Sequence, residues 1–291
     1  MTGGEAWKLP PLRGGHAADE ALVQRRLRTV GAAGAKATHR ETVIGGIRCL
    51  LVEPQTSAAQ GDILYLHGGG YRLGSPMAYI DYAQRIADQA ERRIILPFYP
   101  LAPESPFPAA LHGIVAVYRA MENRQSAVIA GDSAGGGLTA ALCILAAQAG
   151  ERPAGAILVS PMLDLTARGE SLGRNAERDP LFSRAAVLDS ALLYLQGHAP
   201  DDPLVSALHA DPADFPPTLL LTGGAEVLLD EALAFARKLA LADRRVTLHV
   251  APGMGHVWPL LMPESPEAVT AVSAMAAFVK ALGPTVSNAS M

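Results

Sequence analysis

Two runs of small residues could position a reactive group: His67-Gly68-Gly69-Gly70 and, further along, Gly131-Asp132-Ser133-Ala134-Gly135. The second has the form Gly-x-Ser-x-Gly, in which a serine occupies a strained turn between a strand and a helix and small neighbours leave its hydroxyl exposed. The context agrees: Ala127 to Ala130 reads as an apolar strand, and the residues after Gly135 read as a Gly- and Ala-rich helix. A serine hydroxyl is a poor nucleophile at neutral pH. Acyl transfer by Ser133 therefore needs a base to take its proton, a carboxylate to orient that base, and amide donors to receive the oxyanion.

Eight histidines compete for the role of base. His256 alone lies in a loop, Pro252-Gly253-Met254-Gly255-His256, directly after the last expected strand, and the chain order serine, acid, histidine is the one such strand-turn-helix sites use. His249 falls inside that strand, opposite the face made by Val246, Leu248 and Val250, where packing beside a helix or contact with solvent is expected. His67 heads the glycine run and is better placed to brace it, while His16, His39, His112, His198 and His209 suit surface or structural roles. The acid should follow the strand Thr218 to Thr222, where Gly223 to Asp230 offers Glu226 and Asp230. Glu226 is favoured because it comes first in the loop; Asp230, about one helical turn on, suits a helix start or a loop brace. Gly69 and Gly70, which lack side chains, and Ala134, the residue after the nucleophile, are the expected oxyanion donors. The glycine run could also be a turn or a phosphate loop, but no Gly-Lys-Ser/Thr follows it and no Gly-x-Gly-x-x-Gly opens a helix in the early βα unit. Histidines and cysteines show no metal-ligand spacing, so neither metal nor cofactor is expected.

Positioning these residues falls to an alternation of apolar strands and helical patterns. Asp62 to His67 precedes Tyr79 to Glu91, Arg93 to Phe98 precedes Ala109 to Glu122, and Ala127 to Gly131 precedes Gly135 to Ala149. The alternation resumes with Gly155 to Ser160, with Pro217 to Thr222 before Leu229 to Ala242, and with Val246 to Val250 before Pro266 to Leu282. This pattern predicts an α/β fold with a mostly parallel central sheet and helices on both faces. Thr38 to Glu53 reads as a hairpin turning at Gly45-Gly46, an antiparallel edge. Between Asp164 and Pro216 the alternation lapses around a helix over Ser183 to Leu195, as a cap insertion would. An amphipathic helix over Ala17 to Val30 is expected to join that cap. The division is then 1–37 as N-terminal cap segment, 38–163 and 217–291 as the two parts of the catalytic core, and 164–216 as cap insertion, with a frayed tail over 284–291.

With 291 residues, 49% hydrophobic and 18% charged, the chain can bury one large core, and a net charge of −4 supplies no basic field for nucleic acid or an anionic membrane. A small neutral substrate fits better. Cys49 and Cys143 read as core residues rather than a disulfide framework. The first residues lack a secretory apolar region and the run Leu138 to Ala149 is too short to span a bilayer, so a soluble cytoplasmic protein is expected.

Further motifs carry a family resemblance: Tyr71 after the glycine run, Tyr99-Pro100-Leu101-Ala102-Pro103-Glu104 with Pro106-Phe107-Pro108-Ala109-Ala110, Gly136 after the serine motif, Ser160-Pro161, and Gly255-His256. Over most of its length the chain resembles the hormone-sensitive-lipase-like esterases, bacterial family IV, of the α/β-hydrolase superfamily. It departs from their common pattern where Phe98 and Pro100 replace Asp and Arg, and where Glu226-Val227-Leu228 stands for Asp-Pro-Leu. The resemblance implies carboxylic ester hydrolysis of small short-to-medium acyl esters, with lactone or amide hydrolysis by the same triad and a non-catalytic ligand receptor as rivals. It also implies a cap over the substrate pocket, with Tyr71, Met162, Leu163 and Trp258, and further Trp7, Leu12 and Leu192, as candidate lining residues. Family members often pair, so a homodimer is a possible assembly.

Overall fold

The computed structural model describes residues 39–56 and 61–282. The expected cap segment 1–37, with its amphipathic helix and with Trp7 and Leu12, and the tail over 284–291 lie outside the described residues.

Buried strands dictate the frame. Strands β1 (His39–Ile44), β2 (Ile47–Val52), β3 (Asp62–Leu66), β4 (Arg93–Pro97), β5 (Val128–Asp132), β6 (Gly155–Val159), β7 (Thr218–Gly223) and β8 (Val246–Ala251) form one sheet in the order β1-β2-β4-β3-β5-β6-β7-β8. Every residue of β5, β6 and β7 is buried, as continuous apolar runs must be when both faces of a parallel sheet are covered. The expected Gly45-Gly46 hairpin joins β1 to β2 antiparallel, β2 pairs antiparallel with β4, and the remaining pairings are parallel.

Alternate side chains feed two cores. Ala156, Leu158 and Leu220 pack with Phe235 and Leu239 of α6 (Leu229–Leu241), while Ile157, Val159, Leu219 and Leu221 join the cluster holding Val272, Met275 and Val279 of α8 (Pro266–Ala281). Helix α1 (Ile80–Ala90) and the short α7 (Trp258–Leu261) lie against α8, and α2 (Ala109–Ala120) lies against α3 (Ala134–Gln148). Among these, α3 has no polar face and is buried along nearly its whole length, which accounts for its Gly-, Ala- and Leu-rich sequence. Ser265 caps α8 by accepting from the Ala268 amide, with Pro266 at the first helical position.

Between β6 and β7 the described chain forms no strand, only the short α4 (Ser171–Arg174), α5 (Arg184–Leu195) capped by Ser183, and a turn at Ala207–His209. Leu192, a candidate pocket residue, is 70% exposed on α5. On β8, His249 is half-buried, and the apolar Leu248 and Val250 opposite it are the more exposed pair at the edge of the sheet. The chain leaves β3 for β4 on one side and returns through α2 to β5 on the other. That reversal opens a crevice at the carboxyl ends of β3 and β5, where α/β sheets receive ligands.

Candidate active site

Ser133 stands at the point where β5 becomes α3, with φ 53° and ψ −122°. A non-glycine residue held there stores about 1–3 kcal/mol of backbone strain. Such a turn brings helix and strand so close that a Cβ on Gly135 would run into the carbonyl oxygen of Leu66. The spacing of the glycines is thus a packing requirement, and its effect is to lift the Ser133 side chain into the crevice.

The residues expected to serve it come together from three loops. Ser133 Oγ lies 2.9 Å from His256 Nε2, and His256 Nδ1 lies 3.2 Å from Glu226 Oε2. Because Nδ1 faces a carboxylate it carries the proton and donates, leaving Nε2 to accept from the serine hydroxyl. Glu226 follows β7 and is fully buried; its other oxygen, Oε1, accepts from Ser160 Oγ at 2.7 Å and from the Gly223 amide. Asp230 instead opens α6, accepting from the Ser171 amide at 2.7 Å and from Arg174 Nη2 at 2.6 Å, which braces the loop. Burial would lower the His256 pKa, but the hydrogen bond and charge of Glu226, with Asp179 and Asp132 nearby, outweigh it and leave the imidazole above its usual 6.5. Burial pushes the Glu226 carboxyl upward, opposed by His256 and Ser160.

Two of the three expected oxyanion donors, Gly69 and Gly70, lie in a second tight loop. Gly69 has φ 128°, and a Cβ there would strike the carbonyl oxygen of Leu73, whose amide donates back to Gly69 O at 2.9 Å. The amides of Gly69, Gly70 and Ala134 make no hydrogen bond within the described residues, as donors kept for a ligand should. His67 braces this loop: its Nδ1 lies 2.7 Å from Gly68 O and its ring stacks 4.4 Å from Tyr99, whose hydroxyl donates to His67 O. Burial pushes the His67 pKa down to about 4, so it is a neutral strut.

Sequence reasoning missed two contributors. Asp132, an unspecified position in the serine motif, accepts from Tyr65 and Tyr79 hydroxyls at 3.1 and 2.9 Å and from the Gly68 amide at 3.1 Å, tying the oxyanion loop to the nucleophile turn. Burial outweighs these bonds and raises it to about 6. Ser160, at φ 45°, donates to Glu226 and accepts from the Val257 amide at 3.0 Å, linking acid loop to histidine loop. The position of Ser160-Pro161 straight after a central strand was the available signal.

The expected pocket residues need correction. A cleft of about 620 Å³, counting its open mouth, is walled beside Ser133 by Leu73, Tyr79, Leu181, Phe182, Leu260 and Leu261, with Arg72 and Ser190 its polar members away from the reacting groups. Tyr71, Met162, Leu163 and Trp258 do not line it. Tyr71 stacks face to face on Tyr194 at 4.0 Å, and its hydroxyl is directed at Gly137 on α3. Met162 is wholly buried below the nucleophile turn, its amide donating to Ser133 O. Leu163 packs with Phe215 and Phe235, in the core on one face of the sheet. Trp258 is buried and borders a small crevice with Pro180, Gly255 and Met262 that adjoins the cleft across Leu181, His256 and Leu261. Leu181 and Phe182 reach the cleft from the inserted segment, and Phe182 stacks on His256 with ring centroids 4.9 Å apart. No helix among the described residues is long and apolar enough to cross a membrane.

Comparison with known proteins places the chain as a whole. A family model described as the alpha/beta hydrolase fold matches residues 63–260. An acetyl-hydrolase of Streptomyces hygroscopicus is 37% identical over 223 residues, 75% of each chain. An esterase of Acinetobacter venetianus is 36% identical over 82% of this chain and 80% of its own. The crystal structure of an esterase from the bacterial hormone-sensitive lipase family superposes with a TM-score of 0.88 at 32% identity, covering 96% of both chains. On sequence and fold alike, the chain belongs to the α/β-hydrolase family, among its hormone-sensitive-lipase-like esterases.

Proposed function

We propose that the chain hydrolyses short-to-medium acyl esters through an acyl-enzyme on Ser133. The observation that carries the reading is the continuous hydrogen-bond line from Ser133 Oγ through His256 to Glu226, at 2.9 and 3.2 Å. Ser133 Oγ attacks the ester carbonyl carbon while His256 Nε2 takes its proton, and Glu226 steadies the resulting imidazolium. The carbonyl oxygen, now anionic, is received by the amides of Gly69, Gly70 and Ala134. On collapse the bond to the alcohol oxygen breaks and His256 returns the proton to that alcohol. Water then gives a proton to His256 and attacks the acyl carbon, and release of the acid restores Ser133 with its proton.

The name esterase, carried by a relative and by a solved structure similar to this chain, favours an ester over an amide. Ser133→Ala is expected to lower kcat on p-nitrophenyl butyrate by about 10⁴-fold or more. Activity close to that of the unaltered protein would overturn the assignment. Labelling of Ser133 by a fluorophosphonate with no turnover of any ester would instead favour a ligand receptor on the same fold.

A further inference from the structure

The segment between β6 and β7 contributes cleft residues, but its densest polar contacts are with the loop that carries Glu226. Asn175 is wholly buried at the end of α4, and its Nδ2 donates to the main-chain carbonyl of Glu226 at 2.7 Å. One turn later Asp179, 2% exposed, uses Oδ2 to accept from the Val227 amide at 3.0 Å. The Glu226 carbonyl and the Val227 amide belong to one peptide unit. Both of its polar atoms are therefore gripped by side chains from outside its own loop. Asn175 and Asp179 are themselves linked, because the Asp179 amide donates to Asn175 O at 2.9 Å. The other oxygen of Asp179, Oδ1, accepts from the amides of Leu181 and Phe182 at 3.0 and 3.1 Å, holding the main chain that carries two of the side chains walling the cleft, of which Phe182 covers His256.

We infer that Asn175 and Asp179 are positioning residues for the hydrolytic site: by clamping the Glu226–Val227 peptide they aim the Glu226 carboxylate at His256, and Asp179 ties that aim to the cap residues over the cleft. A glutamate has one more rotatable bond than an aspartate, so a fixed main chain matters more for where its carboxylate lands. Ser160 and the Gly223 amide hold the far end of the side chain, and the clamp holds the near end. The inference rests on Glu226 acting as the acid of the proposed reaction.

The test is a pair of double-mutant cycles on p-nitrophenyl butyrate hydrolysis, combining Asp179→Asn or Asn175→Ala with Glu226→Gln. Asp179→Asn is isosteric but turns a donor or a neutral oxygen toward amides that now meet a carboxylate. Small misplacements of a catalytic group cost up to about 10²-fold in rate, so each clamp variant is expected to lower kcat by about tenfold with KM nearly unchanged. In the Glu226→Gln background the same changes are expected to lower kcat by less than about twofold, since residues acting through one group are not additive. A purely structural role would lower the melting temperature and cost the same factor in both backgrounds. The inference is overturned if folded Asp179→Asn and folded Asn175→Ala both keep kcat within twofold, or if their cost persists undiminished beside Glu226→Gln. Full activity of Glu226→Gln alone would instead overturn the role of Glu226. Should Asp179→Asn not fold, Asn175→Ala carries the cycle.

Discussion

At the residue scale, Glu226 and Asp230 show how much position decides for two carboxylates four residues apart. Glu226 is buried against His256, whereas Asp230 is spent on Ser171 and Arg174. Glu226→Gln is expected to lower kcat by about 10³-fold or more, as loss of the orienting acid does in such sites. Asp230→Asn should keep most activity and lower the melting temperature, and the reverse pattern in paired kinetics and melts would exchange the two roles. The charge of Glu226 also sets the pH response. Since the carboxylates of Glu226, Asp179 and Asp132 hold the His256 pKa above its ordinary 6.5, the imidazole gains its proton, and loses its basicity, at a pH higher than that. The acid limb of kcat/KM is therefore expected to have its midpoint above 6.5, and to move down in Glu226→Gln. A midpoint at or below the ordinary histidine value, read from a pH–rate profile, would contradict the assigned environment.

At the scale of elements, what could be read from sequence was whatever periodicity and glycine spacing encode. Among the described residues, each strand and longer helix that was expected lies within a residue or two of its expected bounds, α5 for instance running Arg184–Leu195 against an expected Ser183 to Leu195, because apolar runs and caps are local properties, whereas the four-residue helices at Ser171–Arg174 and Trp258–Leu261 were not foreseen. Ser133, His256 and Glu226, the candidate triad that the geometry brings together, were legible for the same reason: Ser133 directly follows a strand, and the other two lie in the loops that leave one. The pocket wall was not. Whether Tyr71 faces the cleft or lies behind it depends on Tyr194, which stacks on it from α5, more than a hundred residues away, and no local pattern records that contact. Asn175 and Asp179 were hidden likewise, since their partners are main-chain atoms of a distant loop. The glycine run proposed to receive the oxyanion, by contrast, is a local device, and its glycines can be tested one at a time. Gly69→Ala would press a Cβ against the Leu73 carbonyl at a φ of 128°, displacing the loop rather than the core. It is expected to lower kcat by about 10²-fold with little change in melting temperature. Unchanged kcat in the folded variant would remove Gly69 from the donor set.

At the scale of the whole molecule, the sheet order brings the ends of β3, β5, β7 and β8 to one rim, and the inserted segment closes part of the space above it. The result is a cleft with a finite apolar wall, and this limits what acyl chain it can take. Each methylene that fits against Leu73, Leu181, Phe182, Leu260 and Leu261 leaves water and adds about 0.8 kcal/mol, about fourfold in kcat/KM if the gain is kept in the transition state. Beyond the length the cleft encloses, further methylenes stay in water and add nothing, while the chain must bend or push Phe182 off His256. A series of p-nitrophenyl esters is thus expected to rise from acetate to butyrate and to fall well before palmitate. Phe182→Ala should move the maximum to a longer chain, because it removes wall from the side of the cleft that the inserted segment supplies. A kcat/KM that climbs steadily to palmitate would mean that the long chain lies on an open surface, and that the residues walling the cleft do not select the substrate.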